Sequence, residues 1–298
     1  MVDALKVKSD GSFALKGTGS FSVKGGDPAY IIPGLEQSHW LVNSQTVTLN
    51  GSGKITAIAD ASSTENLVTE ASVGATTYIN PTYDATGWSS GGVTRATCDF
   101  NGDASLAANG WATRIGTQGA TYTMAALIIG RYNSSMPLYS LYNNVNWGEP
   151  GCGYSMGLSA SANGPNAPAD NFNMSDFEQA DLYTTNVLRY HGWWLNANSR
   201  TIPQLIVIEH NNNFGGSAWR VWQNGTLVSL YQGTRNGTIS GNVTFNGFTL
   251  GAYRYTRGVN PSNAGWKGTM AEFHIWKGAL TDSQRAAVTT DLMTRGGL

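Results

Sequence analysis

The first chemistry this sequence offers is a set of aromatic residues interleaved with amides. Trp147, Tyr183, Tyr190, Trp193 and Trp194, with Asn211, Asn212 and Asn213 after an apolar run, supply flat ring faces and hydrogen-bonding amides. A sugar ring has an apolar face and a rim of hydroxyls, so rigid rings beside Asn, Asp or Arg form the combination that holds one. These residues are the candidate glycan-binding set. For Trp193 and Trp194 a competing reading, anchors of a core or subunit interface, stands beside it. A second set is acidic: Asp176-Phe-Glu-Gln-Ala-Asp181 offers Asp176 and Glu178 as an acid–base pair. The surrounding composition reads as loop, where exposed acids are ordinary. His39, His191, His210 and His274 have no nucleophile-elbow motif near them, and no Cys or His pair stands at zinc-ligand spacing. The resulting expectation is a protein that is not an enzyme.

Elements must position such residues, and the composition says which kind. Among 298 residues there are 37 Gly, 10 Trp and 13 Tyr, with only 12% charged residues, which is the texture of many short strands joined by tight turns. Thr46-Val-Thr-Leu, Lys54-Ile-Thr-Ala-Ile, Tyr122-Thr-Met-Ala-Ala-Leu-Ile-Ile, Gln204-Leu-Ile-Val-Ile-Glu, Trp219-Arg-Val-Trp and Met270-Ala-Glu-Phe-His-Ile-Trp all fit strand rules. Trp219, Trp222 and Trp276, in strands, read as core on at least one side. Alternation in the last segment places Met270, Glu272, His274 and Trp276 on one face and Ala271, Phe273 and Ile275 on the other. The end changes period: Thr281 and Gln284 form a capping box, Val288 and Leu292 recur at helical spacing, and Gly296-Gly297 stops the helix. Asn-Gly pairs such as Asn224-Gly225 read as hairpin turns.

Net charge is −1 with no basic run, so no nucleic-acid partner is expected. Apolar runs such as Met124 to Ile129 are far below the roughly 20 residues of a membrane-spanning helix, so no membrane insertion is expected. Cys98 and Cys152 permit at most one disulfide, and both the paired and the free state remain open. Residues 1–34 read as an N-terminal β arm, with Lys6, Lys8, Lys16 and Lys24 set among alternating apolar residues and Pro33-Gly34 as the linker. The arm docks on a partner or sister chains, or else adds an edge strand to the main domain. Residues 35–298 read as one β-sandwich, with a long polar and aromatic insertion at about 133–200 taken as a functional loop. The start lacks the basic leader and apolar stretch of a secretory signal, so synthesis in the cytoplasm is expected.

Three stretches carry a family resemblance. Pro81-Thr-Tyr with Val93-Thr-Arg-Ala-Thr-Cys-Asp-Phe-Asn-Gly-Asp-Ala-Ser-Leu resembles an entry strand, and Trp219-Arg-Val-Trp-Gln-Asn-Gly-Thr-Leu-Val a hairpin. Gly268-Thr-Met-Ala-Glu-Phe-His-Ile-Trp-Lys-Gly-Ala-Leu-Thr-Asp-Ser-Gln-Arg resembles a closing strand and helix. Together they resemble the concanavalin A-like lectin/glucanase superfamily, in particular its laminin-G-like jelly rolls from phage and bacterial surface proteins. The resemblance implies an all-β jelly-roll β-sandwich with a short C-terminal helix, and sugar or protein binding on a face or rim. A glucanase of this superfamily would carry an E-x-D-x-x-E strand, which Asp176 to Asp181 does not reproduce. Laminin-G-like folds often hold calcium at the rim, and Asp99, Asn101 and Asp103 supply suitable oxygens; the alternative is a turn-forming Asn-Gly-Asp. The expected function is a non-enzymatic glycan-binding module of a phage or phage-like particle, a head fibre, spike or tail-fibre receptor binder. It would recognise host surface polysaccharide, sit on the virion surface or be extracellular after lysis, and form a homo-oligomer, with other virion proteins held by the N-terminal arm. The alternatives are a structural virion decoration or connector protein and, more weakly, a polysaccharide-cleaving enzyme.

Overall fold

The computed structural model describes residues 6–7, 13–14, 29–62, 65–69, 79–102, 104–130, 138–143, 153–159, 171–179, 186–194, 201–211, 218–235, 243–251 and 266–298. In chain order the first strands are β1 (Lys6–Val7), β2 (Phe13–Ala14), β3 (Gln37–Leu41), β4 (Val47–Leu49), β5 (Ile55–Ile58), β6 (Leu67–Thr69), β7 (Thr82–Ser90), β8 (Val93–Asn101) and β9 (Leu106–Ala107). Helix α1 (Asn109–Ile115) precedes β10 (Tyr122–Gly130), β11 (Tyr139–Tyr142), β12 (Gly153–Ser159), β13 (Asn171–Gln179), β14 (Asn186–Trp194) and β15 (Gln204–His210). The chain ends with β16 (Trp219–Gln223), β17 (Thr226–Leu227), β18 (Tyr231–Arg235), β19 (Gly247–Leu250), β20 (Lys267–Lys277) and helix α2 (Asp282–Gly296).

Two antiparallel sheets make a β-sandwich, as the sequence leads one to expect. The first runs β17-β16-β15-β10-β20-β8-β7, with β3 also paired to β20; the second runs β18-β14-β13-β12-β11-β19-β9-β6-β5-β4. β1 and β2 pair separately, Lys6 opposite Ala14. Between the large sheets lies a core that includes Trp40, Met124, Ile206 and Trp219 from one and Ile55, Leu141 and Phe248 from the other. Trp40 stacks on Phe248 with ring centroids 5.8 Å apart, which ties the layers at the centre. Removing each such side chain from water contributes about 1.5–3 kcal/mol.

The outer side of the first sheet is buried as well. Ala125 and Leu127 of β10, Leu205 and Val207 of β15, Trp222 and Trp276 pack with Val288 and Leu292 of α2 and with Tyr30 and Ile32. Strands covered on both faces carry continuous apolar runs instead of alternation, which explains why Tyr122–Gly130 and Gln204–His210 show no polar face. Helix α2 begins where the sequence indicates: the Thr281 side chain accepts from the Gln284 amide, and the Gln284 side chain accepts from the Thr281 amide. Gly297 ends it in the left-handed region at φ 65°, which a side chain would disfavour. Asn224 and Gly225, both at positive φ, make the β16–β17 turn.

Four features depart from the sequence reading. The pairing of β10 with β20 shifts register between Leu127 and Ile128, opposite Glu272 and Met270, so Ala271 is an extra bulged residue. The bulge moves Met270 to the inner core beside Phe273 and Ile275, while Glu272, His274 and Trp276 stay on the outer side. The stretch read as a long loop supplies strands β11 to β14 of the second sheet. Helix α1 has no side-chain cap and lacks a periodic pattern long enough to announce it. Tyr30 and Ile32, inside the expected arm, are buried under the sandwich. Cys98 is a free, buried thiol whose pKa burial pushes well up, and Cys152 lies outside the described residues.

Candidate functional site

The expected glycan residues divide by register. Trp147, Tyr183, Asn212 and Asp103, together with Asn213, lie outside the described residues. Tyr190, Trp193 and Trp194 are all on β14, with Trp193 opposite Phe172, Trp194 opposite Asn171 and Tyr190 opposite Ser175. Asn211 follows β15, where its amide donates to the Ala218 carbonyl at 2.7 Å. Side chains on a strand alternate between faces, so Tyr190 and Trp194 share one face and Trp193 the other.

Ser155 of β12 fixes which face is which. Its hydroxyl meets the Tyr122 hydroxyl of the opposing sheet at 2.8 Å, so its face is the inner one. Ser155 pairs with Asp176, and Asp176 with Arg189, which puts Asp176, Arg189, His191 and Trp193 on that inner face by register. Opposite them Tyr122 stacks on His210 at 4.8 Å, and Trp219 meets His210 edge-on at 5.4 Å. The outer face carries Asn171, Asn173 and Ser175 on β13, Tyr190, Gly192 and Trp194 on β14, and Tyr231 and Gly233 on β18. Those eight positions hold aromatic, amide, hydroxyl and glycine residues; Arg235, paired with Leu188, stands on the same face at the end of β18, and Asp176, Glu178 and Arg189 occupy the inner register. Asp176 and Glu178 are therefore strand residues two apart on one face, not loop residues.

For calcium, Asp99 and Asn101 stand two apart on β8, paired with Thr269 and Lys267 of β20. Among the described residues no group of three or more His, Cys, Asp and Glu side chains is arranged to hold a metal. Asp99 and Asn101 each bring a side-chain oxygen, and Asp103, the third expected donor, lies outside the described residues. Among the described residues no helix is long and apolar enough to cross a membrane.

Two arrangements that the sequence did not single out stand on the outer side of the first sheet. Glu272, fully buried, is bonded by Arg95, Arg295 and His274. Burial raises its pKa, but the His274 hydrogen bond and the charges of Arg295 and Arg95 outweigh that and hold the carboxyl well below its ordinary range. Burial, reinforced by the two arginines, keeps His274 depressed in spite of its bond to Glu272. A carboxylate only accepts, so His274 Nε2 carries the proton in that bond. His39 lies 4.9 Å from the His274 ring and 4.7 Å from Tyr30, and burial first, then His274 and Arg295, pushes it down to about 2. The second arrangement is a groove of about 260 Å³ between the β16–β17 turn and α2, lined by Trp222, Gly225, Asp282, Arg285, Thr289 and Thr290. Nothing in the sequence sets residue 222 beside residue 285; only the packing of α2 on β16 does so.

No family model matches the chain, and no curated protein matches it. Among solved structures it is similar to domain 4 of AbnA, a GH43 extracellular arabinanase from Geobacillus stearothermophilus, in complex with arabinotriose. Identity is 12% and TM-score 0.50, over 86% of this chain and 98% of that one. An arabinofuranosidase complexed with arabinofuranosyl-α-1,2-xylobiose matches at 14% identity and TM-score 0.47, over 82% of this chain and 51% of that one. The botulinum neurotoxin serotype D/C VPI 5993 binding domain matches at 11% and 0.42, over 86% and 51%. This chain thus spans about half the length of the latter two structures. At such identities the likeness shows the fold: a β-sandwich. It corrects one expectation. The non-enzymatic reading is contradicted, because the structure matched at TM-score 0.50 is a domain of a GH43 extracellular arabinanase. The acidic pair was set aside for a loop setting that it does not have.

Proposed function

We propose that this protein binds polysaccharide, with the outer face of β13, β14 and β18 as the contact surface. The observation that carries the reading is the register of β14, which puts Tyr190, Gly192 and Trp194 in one row beside Asn171, Asn173 and Ser175. With about 3.3 Å per residue, Tyr190 and Trp194 stand about 13 Å apart with a glycine between them, an interval wider than one sugar ring. Aromatic positions framing a row of amides, with charge confined to Arg235 at the end of β18, suit a neutral glycan chain. The three sequence signatures, in order along the chain, support the finer concanavalin A-like, laminin-G-like assignment. In the same proposal the protein is displayed in several copies on a phage or phage-like particle, where weak single-site affinity becomes useful avidity.

The test is binding to a broad glycan array that includes arabino-oligosaccharides, and to cells carrying or lacking surface polysaccharide. Wild type is compared with Tyr190→Ala and Trp194→Ala of unchanged circular dichroism. Polysaccharide-dependent binding lost in both variants is the expected result. Binding to no glycan, even with the protein multimerised, overturns the reading.

A second reading, cleavage of a polysaccharide at a separate position on the inner register, is favoured by one observation: Asp176 and Glu178 share a strand face. Their Cα atoms are about 7 Å apart, and catalytic carboxyl pairs in glycoside hydrolases are separated by about 5–9.5 Å. Release of reducing ends from the glycan bound best, abolished in Asp176→Asn and Glu178→Gln with binding kept, is the result that supports it. Release of no reducing ends from that glycan rejects it.

A further inference from the structure

We infer that the groove between the β16–β17 turn and helix α2 is a second sugar subsite, sized for a single neutral ring, on the opposite side of the molecule from β14. The Arg285 guanidinium lies 4.0 Å above the Trp222 ring, and Trp222 is only 8% exposed, so the indole is a fixed base beneath it. One nitrogen of the guanidinium donates to Asp282 at 2.6 Å. A guanidinium has five N–H groups in a rigid fork, so held between the Trp222 ring and the Asp282 carboxylate it is a preorganised donor. Asp282 supplies the matching acceptor: its side chain is 94% exposed, and a carboxylate takes about four hydrogen bonds, of which Arg285 uses one.

A donor fork next to an open carboxylate suits vicinal hydroxyls, one accepting from the arginine and the next donating to the aspartate. Thr289 and Thr290 add hydroxyl-bearing residues to the wall, and the turn brings Gly225 backbone to the rim without a side chain. A Cβ at Gly225 would stand 3.2 Å from the Thr289 methyl and narrow the opening. Charge selects among ligands. Arg285 is balanced by Asp282, and beneath them Arg220 pairs across the strands with Glu209, so no net field draws an anion. Size selects too: about 260 Å³ falls just below the roughly 300–1,000 Å³ of drug-sized sites and admits one ring.

The test uses the full chain and the indole N–H resonances of its tryptophans, with the Trp222 signal identified from Trp222→Phe. Arabinose, galactose, glucose and mannose are titrated one at a time, with glucuronic acid and N-acetylneuraminic acid as charged comparators. Expected is a saturable shift of the Trp222 signal with at least one neutral sugar. It should be retained in Trp194→Ala and weakened at least tenfold in Ala286→Trp, which fills the groove from an exposed helix position, and in Asp282→Asn. Retention in Trp194→Ala separates this site from the β14 surface, so either can fail alone. No saturable Trp222 shift, a shift that survives Ala286→Trp, or a stronger response to the charged sugars overturns the inference.

Discussion

His39 and His274 lie in an enclosure in which proton uptake works against folding. Both are fully buried; Tyr30, Trp276, Glu272 and the guanidinium of Arg295 surround them, with Arg95 on the far side of Glu272. Among the described residues neither nitrogen of His39 has a hydrogen-bond partner, so a proton added there meets no acceptor among them. Unfolded histidine titrates near pH 6.5, whereas both folded values are depressed. Below about pH 6.5 the unfolded chain therefore binds protons that the folded chain refuses, and stability falls as pH falls. The slope approaches about 1.4 kcal/mol per pH unit for each imidazole. Glu272, also depressed, adds to the loss below its unfolded pKa of about 4.3. Urea unfolding at pH 7.5, 6.5 and 5.5 should show this slope, and His39→Phe should keep stability at pH 7.5 while removing about half of it. An unchanged slope in His39→Phe would assign the titration to other groups. Glu272→Gln removes the charge partner shared by Arg95 and Arg295, leaving Arg295 with Asp291, and should cost about 3–5 kcal/mol at neutral pH.

On the scale of single elements, sequence and structure agree where a local rule is self-contained. The capping box at Thr281 and Gln284, the Gly297 stop and the Asn224-Gly225 turn are each decided by neighbours within four residues, and all three stand as read. The bulge at Ala271 is different, because it exists only in the pairing of β20 with β10, and no property of Met270-Ala-Glu announces it. Strands β12 to β14 were missed for another reason: Gly, Asn, Ser and charged residues interrupt their apolar positions, and apolar alternation, the signal by which strands are recognised, is weak there. That same register separates Trp193 from Trp194, adjacent in sequence and equivalent by composition. Trp194→Ala should weaken glycan binding by about 30-fold, close to the 2 kcal/mol typical of an aromatic anchor, at unchanged melting temperature. Trp193→Ala, on the inner register, should act on melting temperature and leave the affinity of the folded fraction within about twofold. Equal losses of affinity in the two variants would mean that the strand, not one face of it, makes the contact.

At the scale of the whole molecule the first sheet is the middle of three layers, and the third layer is built from both ends of the chain. Helix α2 brings Val288 and Leu292 to it, and the segment around Tyr30 and Ile32 closes it beside them. The two ends are joined directly: the Trp276 indole donates to the Tyr30 carbonyl at 3.1 Å, and Arg295 of α2 lies 4.5 Å above the Tyr30 ring. The Ile32 amide is held by the Gln37 side chain at 3.0 Å. An attachment arm ending at Pro33-Gly34 would thus carry part of the sandwich with it. Deleting residues 1–28, which leaves Tyr30 and Ile32 in place, should leave urea stability within about 0.5 kcal/mol of the full chain. Deleting residues 1–34 removes two buried side chains worth about 1.5–3 kcal/mol each, so about 3–6 kcal/mol should go, a large share of the roughly 5–15 kcal/mol of an ordinary domain. Loss of assembly on a particle with the first deletion, at full stability, would identify residues 1–28 as the docking element. An equal fall in stability with both deletions would instead make those residues part of the sandwich, because only packing against it gives them a share in its unfolding energy.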